Sequence, residues 1–157
     1  MKIAVSACLL GEQCKYNGES NYRPELAELL KDHEVIQLCP EVTGGMSVPR
    51  PAAERRDDKV VTYIGRDVTR EYKRGAKFCM EQIEENGIEL VILKARSPAC
   101  GKDQIYDGSF TGKLVERDGV LAELVRSSGI PFYSDEETDA IRTFIEEHTT
   151  ENAGGQE

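Results

Sequence analysis

Four short apolar runs, separated by stretches of helical periodicity, organise this chain. Ile3-Ala4-Val5 is the first, Val35 to Leu38 the second, Ile88 to Leu93 the third and Ile130 to Tyr133 the fourth. Short runs rich in β-branched residues read as strands buried on both faces, as parallel strands are when helices cover them. The first is expected to extend over residues 2–9, and the third, the most apolar, to lie centrally. Between the runs the period changes to that of a helix. Leu26, Leu29 and Leu30 line one face of a helix opened by Pro24 and ending near Asp32. Tyr72, Ala76, Cys79 and Ile83 recur at i, i+4, i+7 and i+11, predicting a helix over 69–85 that Asn86-Gly87 ends. Val120, Leu121, Leu124 and Val125 predict another over 119–127. Ala140, Ile141, Phe144 and Ile145 predict a last one, with Asp135-Glu136-Glu137 as an acidic first turn that suits the helix dipole.

Strand and helix alternating at these lengths predict βαβ units, the first two strands being parallel. The expected fold is α/β: a single-domain, three-layer Rossmann-like sandwich over 1–148, with helices on both faces of a mostly parallel sheet of about four strands. The tail 149–157, with Ala153 as its apolar residue, is expected to be disordered. Residues 42–58 read as irregular, since the segment from Pro49 to Arg56 is dense in proline and charge. That loop is either a solvated surface or a lid over substrate. Lys59 to Ile64 reads as a short strand, an edge hairpin closed by Gly65-Arg66, and residues 105–110 as a turn-rich excursion.

A formal net charge of −9 over 157 residues disfavours duplex nucleic acid and anionic membrane as partners, although a local basic pocket is compatible with it. The N-terminal apolar run is interrupted by Gly11, Glu12 and Lys15 before an export signal or membrane span is complete, so a cytoplasmic location is expected.

The cysteines change the picture most. They number five, at 8, 14, 39, 79 and 100. An odd count in a chain expected in a reducing compartment points to metal binding or catalysis before disulfides. Cys8, Cys39 and Cys100 each follow a predicted strand, and sites in open parallel sheets lie at the carboxyl ends of the strands. Three convergent thiolates suit a soft metal, zinc or an iron–sulfur cluster. Cys14 is a possible fourth ligand; without it one metal position stays open. Metal-free buried thiols are the plain alternative, because the Cys8-x5-Cys14 spacing matches no common zinc ribbon or ferredoxin pattern. Cys79 falls in a helix's buried stripe and reads as core. Glu41 and Ser97, close to Cys39 and Cys100, are candidates for proton transfer and orientation. Equally, Glu41 can be a solvated carboxylate and Ser97 a turn residue before Pro98. His33 and His148 lie near none of these positions.

Ser6-Ala7-Cys8-Leu9-Leu10-Gly11, Cys14-Lys15-Tyr16-Asn17-Gly18, Cys39-Pro40-Glu41-Val42-Thr43-Gly44-Gly45, Pro49-Arg50, Asp67-Val68-Thr69, Ser97-Pro98-Ala99-Cys100-Gly101 and Ile105-Tyr106-Asp107-Gly108 occur in the order of the short-chain thiouracil desulfurase family, which the chain resembles over about residues 2–135. Cys14-Lys15 stands where relatives often have Cys-Arg, and longer relatives carry a further C-terminal domain. The resemblance implies non-redox desulfuration of a thiolated pyrimidine, thiouracil or thiouridine, to uracil or uridine and sulfide. It implies a [4Fe-4S] cluster held by Cys8, Cys39 and Cys100, with one iron free of protein ligands to take the thiocarbonyl sulfur; such a cluster is expected to be lost on preparation in air. It further implies Glu41 as the proton shuttle and Ser97 as a substrate-positioning group, with Cys14 in a motif of less defined role. Two alternatives carry no hydrolytic activity: a protein with a structural zinc–cysteine site, or a persulfide carrier. A nucleotide-binding module is disfavoured, because the first strand is followed by one glycine where the dinucleotide fingerprint has three.

Overall fold

The computed structural model describes residues 1–155, with side chains described through Thr149. In chain order the elements are β1 (Lys2–Ser6), a 3-10 turn (Ala7–Leu10), α1 (Pro24–Leu30), β2 (Glu34–Leu38), α2 (Pro40–Thr43), β3 (Ala53–Arg56), β4 (Lys59–Thr62), α3 (Thr69–Glu85), β5 (Leu90–Leu93), β6 (Gln104–Tyr106), β7 (Leu114–Glu116), α4 (Val120–Ser128), β8 (Phe132–Ser134) and α5 (Thr138–Gly155). Residues 156–157, and with them the end of the tail predicted to be disordered, lie outside the described residues.

Four strands form the main sheet in the order β2-β1-β5-β8, every pairing parallel. The two-residue period of a strand sends alternate side chains to opposite faces. Ile3, Val5, Leu90 and Ile92 therefore pack with Leu26 and Leu30 of α1 and Ile141 and Ile145 of α5. Ala4, Val91 and Leu93 pack on the other face with Tyr72, Ala76, Cys79 and Ile83 of α3 and Leu121 and Val125 of α4. The three-layer α/β sandwich expected from the periodicity is the fold observed, with β5 an inner strand.

Several local expectations are corrected. β1 stops at Ser6, and Cys8 sits in the 3-10 turn that follows. Pro40 does not merely end β2: it opens the short helix α2, where its missing N–H costs nothing. The segment 42–58 is not wholly irregular, because β3 pairs antiparallel with β4. Its charge is tolerated because Arg55, though buried, donates to Asp118 O and pairs with Glu123. The turn-rich stretch after Cys100 likewise contains β6, paired with β7. Finally, α5 begins at Thr138, since Asp135 is drawn inward: its carboxylate accepts from Ala95 N at 2.7 Å and from Arg23 Nε at 2.6 Å.

Two helices meet backbone to backbone. A Cβ on Gly75 of α3 would lie 1.8 Å from Pro40 O, and one on Gly44 would lie 2.0 Å from Glu71 O. Glycine at both positions is what lets α2 seat directly on α3, and with it the Cys39-Pro40-Glu41 corner. Gly75→Ala is expected to force these helices apart and lower the unfolding free energy by about 3 kcal/mol. Urea denaturation checks this, with a midpoint unchanged from that of the parent as the contrary result.

Candidate functional site

The carboxyl ends of β1, β2 and β5 open into a cavity of about 440 Å³. Cys8, Cys14, Cys39 and Cys100 all line it, as do Glu41 and Ser97. Each sulfur arrives by a different local device. Cys8 follows β1 on the 3-10 turn, and the side chain of Asn21 donates to its Sγ at 3.3 Å. Cys39 is the residue between β2 and α2, in extended conformation. Cys100 ends a loop whose carbonyls occupy the free N–H groups at the start of α4: Val120 N donates to Pro98 O at 2.9 Å and Leu121 N to Ala99 O at 2.7 Å. Gly119 permits that seating, since a Cβ there would lie 2.5 Å from the carbonyl carbon of Ala99.

The thiols influence one another. Cys14 reaches both Cys8 and Cys39; its hydrogen bond, ahead of all other causes, brings the Cys8 thiol down to about 7 against the effect of burial, and it lowers Cys39 as well. The same contacts, Cys39 first, push the Cys14 thiol far above its ordinary value. Burial raises Cys100, opposed by a hydrogen bond from the Ser6 hydroxyl. Ser6 Oγ in turn accepts from Lys94 N at 3.0 Å, which ties β1 to the end of β5 behind the site.

Among the cavity's lining residues the carboxylates are Glu41 and Glu54. Glu54 Oε1 accepts the N–H groups of Gly108 and Phe110, so it is occupied in holding their loop. Glu41 faces Arg50, with Nη2 of the arginine 3.1 Å from Glu41 Oε2. Burial raises the Glu41 carboxyl from its ordinary range, and the guanidinium opposes that rise. Ser97 Oγ accepts from Ala99 N and Cys100 N, both at 3.1 Å, so its oxygen shapes the cysteine turn.

Cys79 does not line the cavity; burial within the α3 stripe pushes its thiol up to about 12. His33 meets the N-terminal amine, and His148 stacks on Phe144, both away from the cavity. Among the described residues no three Cys, His, Asp or Glu side chains surround one point as a single ion requires. Arg50, Lys94, Arg96, Tyr16 and Tyr106 also line the cavity; Tyr16 and Tyr106, like Arg50, fall in quoted motifs, but the sequence attaches no site role to any of the five. Pro49-Arg50 stood in a motif, but nothing in a proline-rich charged stretch marks one arginine as buried.

The 2-thiouracil desulfurase family matches residues 3–137 of the chain. The protein YbbK of Bacillus subtilis (strain 168), described as uncharacterized, is 36% identical over 149 residues, covering 88% of this chain and 99% of that protein. A solved structure titled [4Fe-4S]-dependent thiouracil desulfidase TudS superposes with a TM-score of 0.86 at 38% identity, covering 92% of this chain and 97% of the other.

Removing the Ser97 hydroxyl leaves two N–H groups of the cysteine turn without their acceptor. Ser97→Ala is therefore expected to cost about 1–2 kcal/mol of stability, read as a lower midpoint in thermal unfolding; an unchanged midpoint would take Ser97 out of the turn's framework.

Proposed function

The chain belongs to the 2-thiouracil desulfurase family, and from that premise we propose that it is an enzyme that converts a thiolated pyrimidine and water to the corresponding pyrimidine and sulfide, using a [4Fe-4S] cluster held by Cys8, Cys39 and Cys100. The observation that carries this reading is the meeting of four separate thiols around one open cavity at the carboxyl edge of the sheet. The donor set fits such a group. Four thiols line one cavity of about 440 Å³, and soft sulfur donors of this kind are the ligands that iron–sulfur clusters take. Asn21 and Ser6 supply hydrogen bonds to the sulfurs of Cys8 and Cys100, as cluster ligands commonly receive. When bound, the cluster would supply an iron without a protein ligand as a Lewis acid for the soft thiocarbonyl sulfur.

The chain's own residues would do the rest. Glu41 is the cavity carboxylate that does not accept loop backbone N–H groups; with Oε2 paired to Arg50, it takes the proton from the attacking water and returns one to the departing group. The Ser97 hydroxyl, at the rim of the cysteine turn, would donate to the substrate. Tyr16, Tyr106 and Pro98 offer flat walls for a planar ring. The exchange of sulfur for oxygen at carbon needs no net electron, so no external reductant enters the balance. The expected setting is a reducing compartment, the cytoplasm. A structural zinc closed by four thiols, or a persulfide carrier, would leave Glu41 beside the thiols without a task.

The test is anaerobic incubation of cluster-loaded protein with 2-thiouracil and 4-thiouracil in ¹⁸O-labelled water. The expected result is loss of thiocarbonyl absorbance, equimolar sulfide, and label in the pyrimidine. Glu41→Ala should keep its iron and lose turnover by roughly a hundredfold or more. A Glu41→Ala enzyme working at near the parent rate would remove Glu41 from the reaction, and unlabelled product would exclude water as the oxygen source.

A further inference from the structure

Arg50 lies in the loop between α2 and β3, with a side chain only 2% exposed. Its hydrogen bonds go to three segments. Its backbone N–H donates to Tyr16 O at 2.7 Å. Nη2 donates to Cys14 O at 2.9 Å and to Glu41 Oε2 at 3.1 Å, and Nη1 to Ser47 O at 3.2 Å. Nε is buried without a partner among the described residues. A buried guanidinium in such a setting is costly unless its partners stay in place, so the contacts are held as a set.

We propose that Arg50 is the positioning residue of the site: it latches the Cys14–Tyr16 loop to α2 and so holds the Glu41 carboxylate in its working position over the cavity. This rests on Glu41 being the proton-transferring group. Cys14 then has a place without being a ligand. Its carbonyl is the catch of the latch, and its thiol is kept beside Cys8 and Cys39 because the loop is shut. Lysine does not replace this arrangement, because one ammonium at the end of a flexible stem cannot reproduce a planar fork that reaches two segments at once. Arg74 shows the same fork one layer back, donating through two nitrogens to Gly44 O, so the α2 corner is gripped from both sides.

The test uses cluster-loaded protein with Arg50→Lys and Arg50→Ala, beside Glu41→Gln. Iron per chain is measured first, then the rate at which iodoacetamide alkylates Cys14, resolved by mass spectrometry, with Cys79 as the internal control. The latch predicts that both Arg50 variants keep their iron while Cys14 is alkylated about tenfold faster and Cys79 is not. It also predicts that kcat for thiouracil falls roughly a hundredfold while KM changes little. Free guanidinium at millimolar concentration should restore part of the kcat of Arg50→Ala and none of that of Glu41→Gln. Unchanged Cys14 protection with parent kcat overturns the proposal; so does loss of iron in both variants, which would make Arg50 a framework residue. A parent protein that loads iron but desulfurates no thiopyrimidine sinks the functional reading instead, and the alkylation rates then decide the latch by themselves.

Discussion

The site depends on direct contact between backbones. Pro40 O faces Gly75, and Gly44 faces Glu71 O, each so closely that no side chain fits between. Gly119 meets Ala99 in the same way. These contacts, rather than side-chain packing, seat the corners that carry Cys39 and Cys100. Their consequence is rigidity. A loop seated on another element's main chain takes its place from that element, and the cysteine beside it is placed with it. Preset thiols matter for any polynuclear metal group, because binding then does not have to order the chain first.

The electrostatics follow from the same placement. An overall acidic chain collects Lys15, Lys94, Arg96 and Arg50 around one cavity. Their effect on the thiols is small: the Cys14 hydrogen bond leads in lowering Cys8 and Cys39, Lys94 and Arg50 add to it last, and Glu41 opposes them. Arg50 is enclosed and shares its hydrogen bonds among three segments, whereas Arg96 pairs with Glu136 at the surface. The first arrangement fixes geometry. The second, largely exposed to water, contributes little to stability.

Most of the frame was legible in the sequence because it is periodic. The stripe Tyr72, Ala76, Cys79, Ile83 marked α3 to its ends, and Ile88 to Leu93 marked the inner strand. The positions of Cys8, Cys39 and Cys100 after strands brought them together, since parallel strands share one carboxyl edge. The two hairpins were harder to see. β3 consists of Ala53-Glu54-Arg55-Arg56, whose charges find partners only in three dimensions, in Glu123, Asp118 and Gly108. Arg50 was hidden for the same reason, because burial of an arginine depends on acceptors distant in sequence. Asp135 reads locally as a first-turn acid, yet it is claimed by Ala95 N and Arg23, which no local pattern discloses.

Under the proposed function Cys8, Cys39 and Cys100 would hold a cluster that Cys14 does not ligate, and one measurement tests that directly. Iron and acid-labile sulfide are determined per chain after anaerobic reconstitution of the parent and of the single serine variants of Cys8, Cys14, Cys39 and Cys100, with Cys79→Ala as the control. The account predicts about four of each in the parent, in Cys14→Ser and in Cys79→Ala, and near none once Cys8, Cys39 or Cys100 is replaced. Loss of iron from Cys14→Ser as complete as from the other three would contradict it. The site would then be closed by four thiols, with no metal position left open for substrate.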